Sequence, residues 1–196
     1  MSETNIQLIK KLENVSACQL CANKLPLPPN PIVQIHSQAQ ILIIGQAPGL
    51  QTHQRNLPFK DQSGDRLRDW LGVNEQQFYN PELFAIMPMA FCYPGKAKSG
   101  SGDAPPPKIC QQTWHNTLRT NMTNIKLTIL IGSYAAKAYV ENYHSLNVAI
   151  IQSDITNTVV LPHPSPRNNI WLKKNDWFET KTLPKVRQRL SEILDV

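Results

Sequence analysis

Four short apolar runs set the plan of this chain. Ile41-Leu42-Ile43-Ile44 is continuous, rich in β-branched residues and closed by Gly45, the pattern of a strand buried on both faces of a parallel sheet. Phe84 to Phe91, Leu127 to Ile131 and Thr158 to Leu161 read as three further strands. The intervals between them carry helical spacing. Ile6, Leu8, Ile9 and Leu12 predict a short amphipathic helix, and Ser63 is placed to cap a helix over Asp65 to Leu71. Pro107 can open a helix that runs through Leu118, and Ser133 precedes one over Tyr134 to Tyr143. The tail from Ile170 to Leu194 is expected to form one or two helices on the outside. Strands alternating with helices imply a layered α/β domain with right-handed crossovers.

At 196 residues the chain is long enough for one full core and short for two, so residues 1–196 are expected to form a single domain. No apolar run approaches the roughly 20 residues of a membrane span, and Glu3, Asn5 and Gln7 do not fit the basic-then-apolar start of a secretory signal. The expectation is a soluble, cytoplasmic protein. A net charge of +6 and a pI near 9.2 suit a polyanionic partner.

The chain has four cysteines. Cys18 and Cys21 are two residues apart, whereas Cys92 and Cys110 flank a Pro-, Gly- and Lys-rich loop far downstream. A close pair can grip one side of a metal centre from a single turn, and two remote thiolates can close the cage on folding. A reducing compartment disfavours disulfides, so metal ligation is the expectation for this set. The same residues could also be four ordinary buried thiols.

Ligands of an open parallel sheet bind beyond the carboxyl ends of its strands. There the sequence places Gly45-Gln46-Ala47-Pro48-Gly49, then Phe91-Cys92-Tyr93-Pro94-Gly95, Gly132-Ser133-Tyr134, and His163-Pro164-Ser165-Pro166-Arg167-Asn168. With these segments the chain resembles the uracil-DNA glycosylase superfamily. Gly45 to Gly49 is similar to its first motif and His163 to Pro166 to its second. Leu57-Pro58-Phe59 with Ser63-Gly64 looks like the segment carrying the ring that stacks on an extruded base, and the cysteine pattern is similar to that of the iron-sulfur branch. The resemblance covers about Cys18 to Asn168. It implies a three-layer α/β/α sandwich around a short, mostly parallel four-stranded sheet. It also implies a [4Fe-4S] cluster on Cys18, Cys21, Cys92 and Cys110, with zinc as the alternative.

Cleaving an N-glycosidic bond leaves an anionic base and an oxocarbenium-like sugar, so a donor must face the base and a water the sugar. His163, between Pro162 and Pro164, is the expected donor, and Phe59 the stacking ring. Gly45, Gln46 and Ala47 should approach the base, and Gln46 could orient a water. Arg167 and Ser165 are placed to engage the DNA backbone or the gap left by a flipped nucleotide, and Lys96 and Lys98 to meet phosphates. The chain departs from its relatives at two points. Gln46 and Ala47 stand where some relatives carry a carboxylate, and no asparagine occurs in Ile86-Met87-Pro88-Met89-Ala90 where relatives read the base edge. Asp61, Asp65 and His53 are nearby replacements, Asp61 the first choice for catalysis. The reading is a monomeric glycosylase that removes a deaminated base, uracil first, from DNA in base-excision repair. The alternatives are a metal-stabilised nucleic-acid-binding protein without glycosylase activity, or a glycosylase for another damaged base.

Overall fold

A computed structural model describes residues 3–98, 100 and 102–195 of the protein. The chain opens with α1 (Glu3–Ser16), which carries Leu8 and Val15 into the core, and a 3-10 turn at Ala22–Lys24. Strand β1 (Ile41–Ile44) follows, with all four residues buried. Three short helices come next: α2 (Leu50–Arg55), α3 (Gln62–Leu71) and α4 (Glu75–Phe78). Beyond them lie β2 (Phe84–Ile86), α5 (Lys108–Arg119), β3 (Leu127–Ile131), α6 (Gly132–Tyr139), α7 (Leu146–Ile151) and β4 (Thr158–Leu161). The tail holds α8 (Asn169–Lys174), a π-helical turn at Phe178–Thr182 and α9 (Leu183–Leu194).

The four strands pair in the order β2-β1-β3-β4, all parallel, with Ile41 beside Phe84 on one side and Leu127 on the other. Parallel strands need crossovers, and central strands buried on both faces need helices on both. Helix α9 packs on α3, α5 meets α1, and α6 and α7 cover β3 and β4. The result is the three-layer α/β/α arrangement expected from the sequence.

The order β2-β1-β3-β4 reverses the direction of winding between β1 and β3. Their C-terminal loops therefore part and leave a crevice, the usual ligand position in such sheets.

Three local expectations are corrected. The second strand ends at Ile86, although every residue from Phe84 to Phe91 is buried. Pro88 has no N–H for a ladder, and the amides of Met89 and Ala90 donate to the carbonyls of Gly45 and Gln46 instead. Helix α3 is capped by Asp61 and not by Ser63, its carboxylate accepting from the Gly64 N–H at 2.9 Å. Helix α6 starts at Gly132, whose left-handed backbone (φ 79°) takes the chain straight from strand to helix, so Ser133 lies inside the helix and does not cap it, and the helix stops at Tyr139 where Val140 turns extended.

Candidate active site and cysteine hollow

A cavity of about 430 Å³ opens at the carboxyl ends of the strands. The loop after β1 contributes Gly45, Gln46 and Ala47, the segment between α2 and α3 contributes Phe59 and Asp61, and the loop after β4 contributes His163, Ser165 and Arg167. Lys96 also lines it, whereas Lys98 is exposed outside the lining. Asp65 does not line the cavity, and Arg68 takes its carboxylate at 2.5 Å. His53 lies outside it as well.

His163 is half-buried, and its orientation is set by backbone. The Ser165 N–H donates to Nδ1 at 3.2 Å, so in the neutral ring the proton sits on Nε2. Burial pushes the ring's pKa below the usual histidine value, with Asp61 and Asp103 pulling the other way and Arg167 adding to the depression. The loop is locked from outside: Asn168 Nδ2 donates to the His163 carbonyl at 2.6 Å, and Arg66 Nη1 on α3 donates to Asn169 Oδ1 at 2.9 Å. His163 is thus a fixed ring whose neutral form carries its N–H on Nε2.

Phe59 is held in a strained position, with a left-handed backbone at φ 54°. Its carbonyl packs directly on Gly64, where any Cβ would collide with it, and a Cβ on Gly45 would come within 3.2 Å of its ring. Tyr79 Oη donates to the Pro58 carbonyl at 3.0 Å and Arg68 Nη1 to the Phe59 carbonyl at 3.4 Å. Arg68, buried beneath the loop, also lies 5.5 Å from the Phe78 ring centre. Phe78 in turn meets the Phe59 ring edge-on at 6.2 Å. Arg66, Arg68 and Tyr79 escape sequence reasoning because the partners that tie them to the site are backbone carbonyls or distant side chains.

Gln46 Nε2 donates to the Ala104 carbonyl at 3.3 Å, tying the first turn to the segment between Cys92 and Cys110. That segment folds back on itself, with Lys96 paired to Asp103 both through the backbone and as an ion pair at 3.0 Å. The Arg167 guanidinium lies over the backbone of Gly102. Asp103, unremarked in the sequence, therefore also lines the cavity.

The four cysteines line a second, mainly apolar hollow together with Phe91 and Trp114. They are half-buried free thiols. Cys18 and Cys21 arrive after α1, Cys92 follows the buried segment after β2, and Cys110 stands in the first turn of α5. Burial pushes Cys92 up to about 11 and Cys110 up to about 12, and repulsion from the neighbouring cysteines adds to both. The Phe91 N–H already donates to Cys110 Sγ at 3.3 Å, while the Trp114 indole N–H is buried with no hydrogen-bond partner. Among the described residues, no three His, Cys, Asp or Glu side chains are gathered as ligands of one metal ion. Beside the hollow, His115 stacks between Phe91 and Tyr139, with Nε2 on the Pro88 carbonyl at 3.0 Å, and burial pushes its pKa down to about 4.

The sequence profile of the Uracil DNA glycosylase superfamily matches residues 33–187. The chain belongs to this superfamily. Among solved structures it is similar to the solution NMR structure of a "putative Uracil DNA glycosylase" from Methanosarcina acetivorans, with 16% identity and a TM-score of 0.48 over 85% of this chain and 98% of that one. No helix among the described residues is long and apolar enough to cross a membrane.

Proposed function

We propose that this protein is a DNA glycosylase that hydrolyses the N-glycosidic bond of a deaminated base, uracil first, in base-excision repair. The observation that carries this reading is the geometry of His163: the ring lines the cavity and its Nδ1 accepts the Ser165 N–H, so the neutral imidazole carries its proton on Nε2 as a donor. As the glycosidic bond breaks, its electron pair leaves with the base and negative charge grows on the base oxygen. A preorganised neutral donor stabilises that charge more in the transition state than in the ground state. Phe59 stacks on the extruded base, the turn from Gly45 to Ala47 borders it, and Ser165, Arg167 and Lys96 at the rim meet the DNA backbone. Lys98, exposed on the same loop as Lys96, adds to the attraction for phosphate.

The four thiols are proposed to hold a [4Fe-4S] cluster. Four free thiols around one hollow, Cys92 and Cys110 already accepting backbone N–H groups, suit thiolate ligation, and the orphaned Trp114 N–H suits a sulfur acceptor. A single zinc ion, with bonds of about 2.3 Å, would draw all four sulfurs to within about 3.8 Å of one another. A cubane, with one thiolate on each of four irons, needs a wider hollow than a single zinc ion. When bound, the cluster supplies structural cross-linking and no redox step. Free thiols of this kind suit a reducing, cytoplasmic setting, and the chain is proposed to act as a monomer.

The deciding measurement is turnover on oligonucleotides carrying uracil, hypoxanthine or xanthine, read as alkali-labile abasic product. Uracil should be released fastest. Binding to these duplexes without abasic product on any of them would leave a nucleic-acid-binding protein and end the glycosylase reading.

A further inference from the structure

Hydrolysis needs an acceptor for the proton of the attacking water, and the turn from Gly45 to Gly49 contains no carboxylate. Asp61 and Asp103 line the cavity. Asp61 already caps α3 through the Gly64 N–H, which holds its carboxylate against that helix. Asp103 is placed differently. Lys96 holds its Oδ1 at 3.0 Å, and its Oδ2 lies 3.4 Å from the point where a Cβ on Gly49 would stand. Its side chain is 29% exposed, so the carboxylate is sheltered but reachable by water. Gln46, through the Ala104 carbonyl, fastens the adjoining residue to the first turn.

On the glycosylase reading above, we infer that Asp103 is the carboxylate that orients and deprotonates the attacking water, delivered across space to a turn whose own sequence lacks one. Water oxygen bonds to C1′ as the C1′–N bond breaks. The bonding pair leaves with the base, the water proton passes to the Asp103 carboxylate and then to solvent, and the departed base takes a proton from solvent. Gln46 is a positioning residue that acts through Ala104. The negative charge of Asp103 also favours the cationic sugar that forms on the way.

The test measures binding of the full-length protein to two abasic duplexes, one with a cationic pyrrolidine and one with an uncharged tetrahydrofuran in place of the sugar. Wild-type protein should prefer the cation by on the order of tenfold or more, as expected for a mimic of transition-state charge. Asp103→Asn should erase the preference while thermal melting shows a folded protein, and it should slow single-turnover release of uracil by on the order of 10²-fold. Lys96→Met should weaken both duplexes alike and keep their ratio, since it removes the ion pair but not the carboxylate. Gln46→Ala should reduce the ratio in part. A wild-type preference that survives in Asp103→Asn overturns the inference, leaves the glycosylase reading standing and returns the role to Asp61. Wild-type protein that binds both duplexes without preferring the cation also overturns it. Wild-type protein that binds neither abasic duplex better than an intact one ends the glycosylase reading, and the role of Asp103 with it.

Discussion

In the cavity, the polar groups that set the site have partners inside the chain: Ser165 N–H on His163, Asn168 on the His163 carbonyl, Asp61 on Gly64, Tyr79 and Arg68 on the Phe59 loop. In the cysteine hollow, beside α5 and the segment before it, the Trp114 donor has none. The Cys21, Cys92 and Cys110 thiols also resist ionisation, because burial and repulsion from neighbouring cysteines both penalise charge. The difference teaches where each region gets its shape. The first is preorganised by backbone and can hold its geometry while empty. The second gathers free thiols and an indole N–H that lacks a partner inside the chain.

That contrast is most directly broken at Cys110. If a cluster completes the hollow, anaerobically purified protein should contain iron and absorb broadly at about 400 nm, and Cys110→Ser should lose both features. It should also melt about 10–20 °C lower, taking a loss of about 5 kcal/mol at 2–4 °C per kcal/mol for a chain of this size. A variant that melts with wild type would make the hollow an ordinary patch of core.

His163→Ala probes the opposite region. Removing one preorganised donor should slow single-turnover base release by roughly 10²- to 10³-fold, about 3–4 kcal/mol, with little change in DNA affinity or melting temperature. An equal loss of affinity would mean that His163 contributes uniform binding.

His115 lies between the two regions and joins them through the Pro88 carbonyl. Its folded pKa is about 4 against an ordinary 6.5, so the unfolded chain binds the extra proton over that interval. The stabilising contribution is complete above about pH 6.5 and falls as the pH drops toward 4, by up to about 3 kcal/mol. Melting curves of wild type should show this slope, and His115→Gln should flatten it.

The smallest effect should come from the rim. Duplex affinity should fall with salt at a log-log slope of about −0.9 per neutralised phosphate, and alanine at Lys96 and Lys98 should make that slope shallower by one to two such steps. A slope unchanged in the double variant would remove both lysines from the DNA contact.

Much of the fold was legible because it rests on local rules. The run Ile41 to Ile44, β-branched and closed by Gly45, reads as a fully buried strand, and Pro107 opens α5 at the expected place. The errors fall where tertiary partners replace local ones. Residues 87–91 are as apolar as a strand, yet the Met89 and Ala90 amides turn to the loop after β1 and the Phe91 amide to Cys110, and burial alone could not report that. Asp61 outranked Ser63 as a cap by standing directly before the helix. Among site residues, His163 and Phe59 belonged to contiguous motifs, whereas Asp103 sat in a Gly- and Lys-rich stretch that reads as a solvated loop. What brings it to the cavity is the Gln46 amide, 58 positions from its acceptor, and no periodicity in the chain records such a bond.

The placement of Phe59 has a consequence for how this protein tolerates change. Its ring and its carbonyl are located by two neighbours, Gly45 and Gly64, that have no side chains. The aromatic sits in a mould whose walls are missing atoms, so a single methyl group added at Gly64 would evict it as surely as deleting the ring. A survey that ranks positions by the chemistry their side chains carry would pass over both glycines, although together they say where the Phe59 ring must lie.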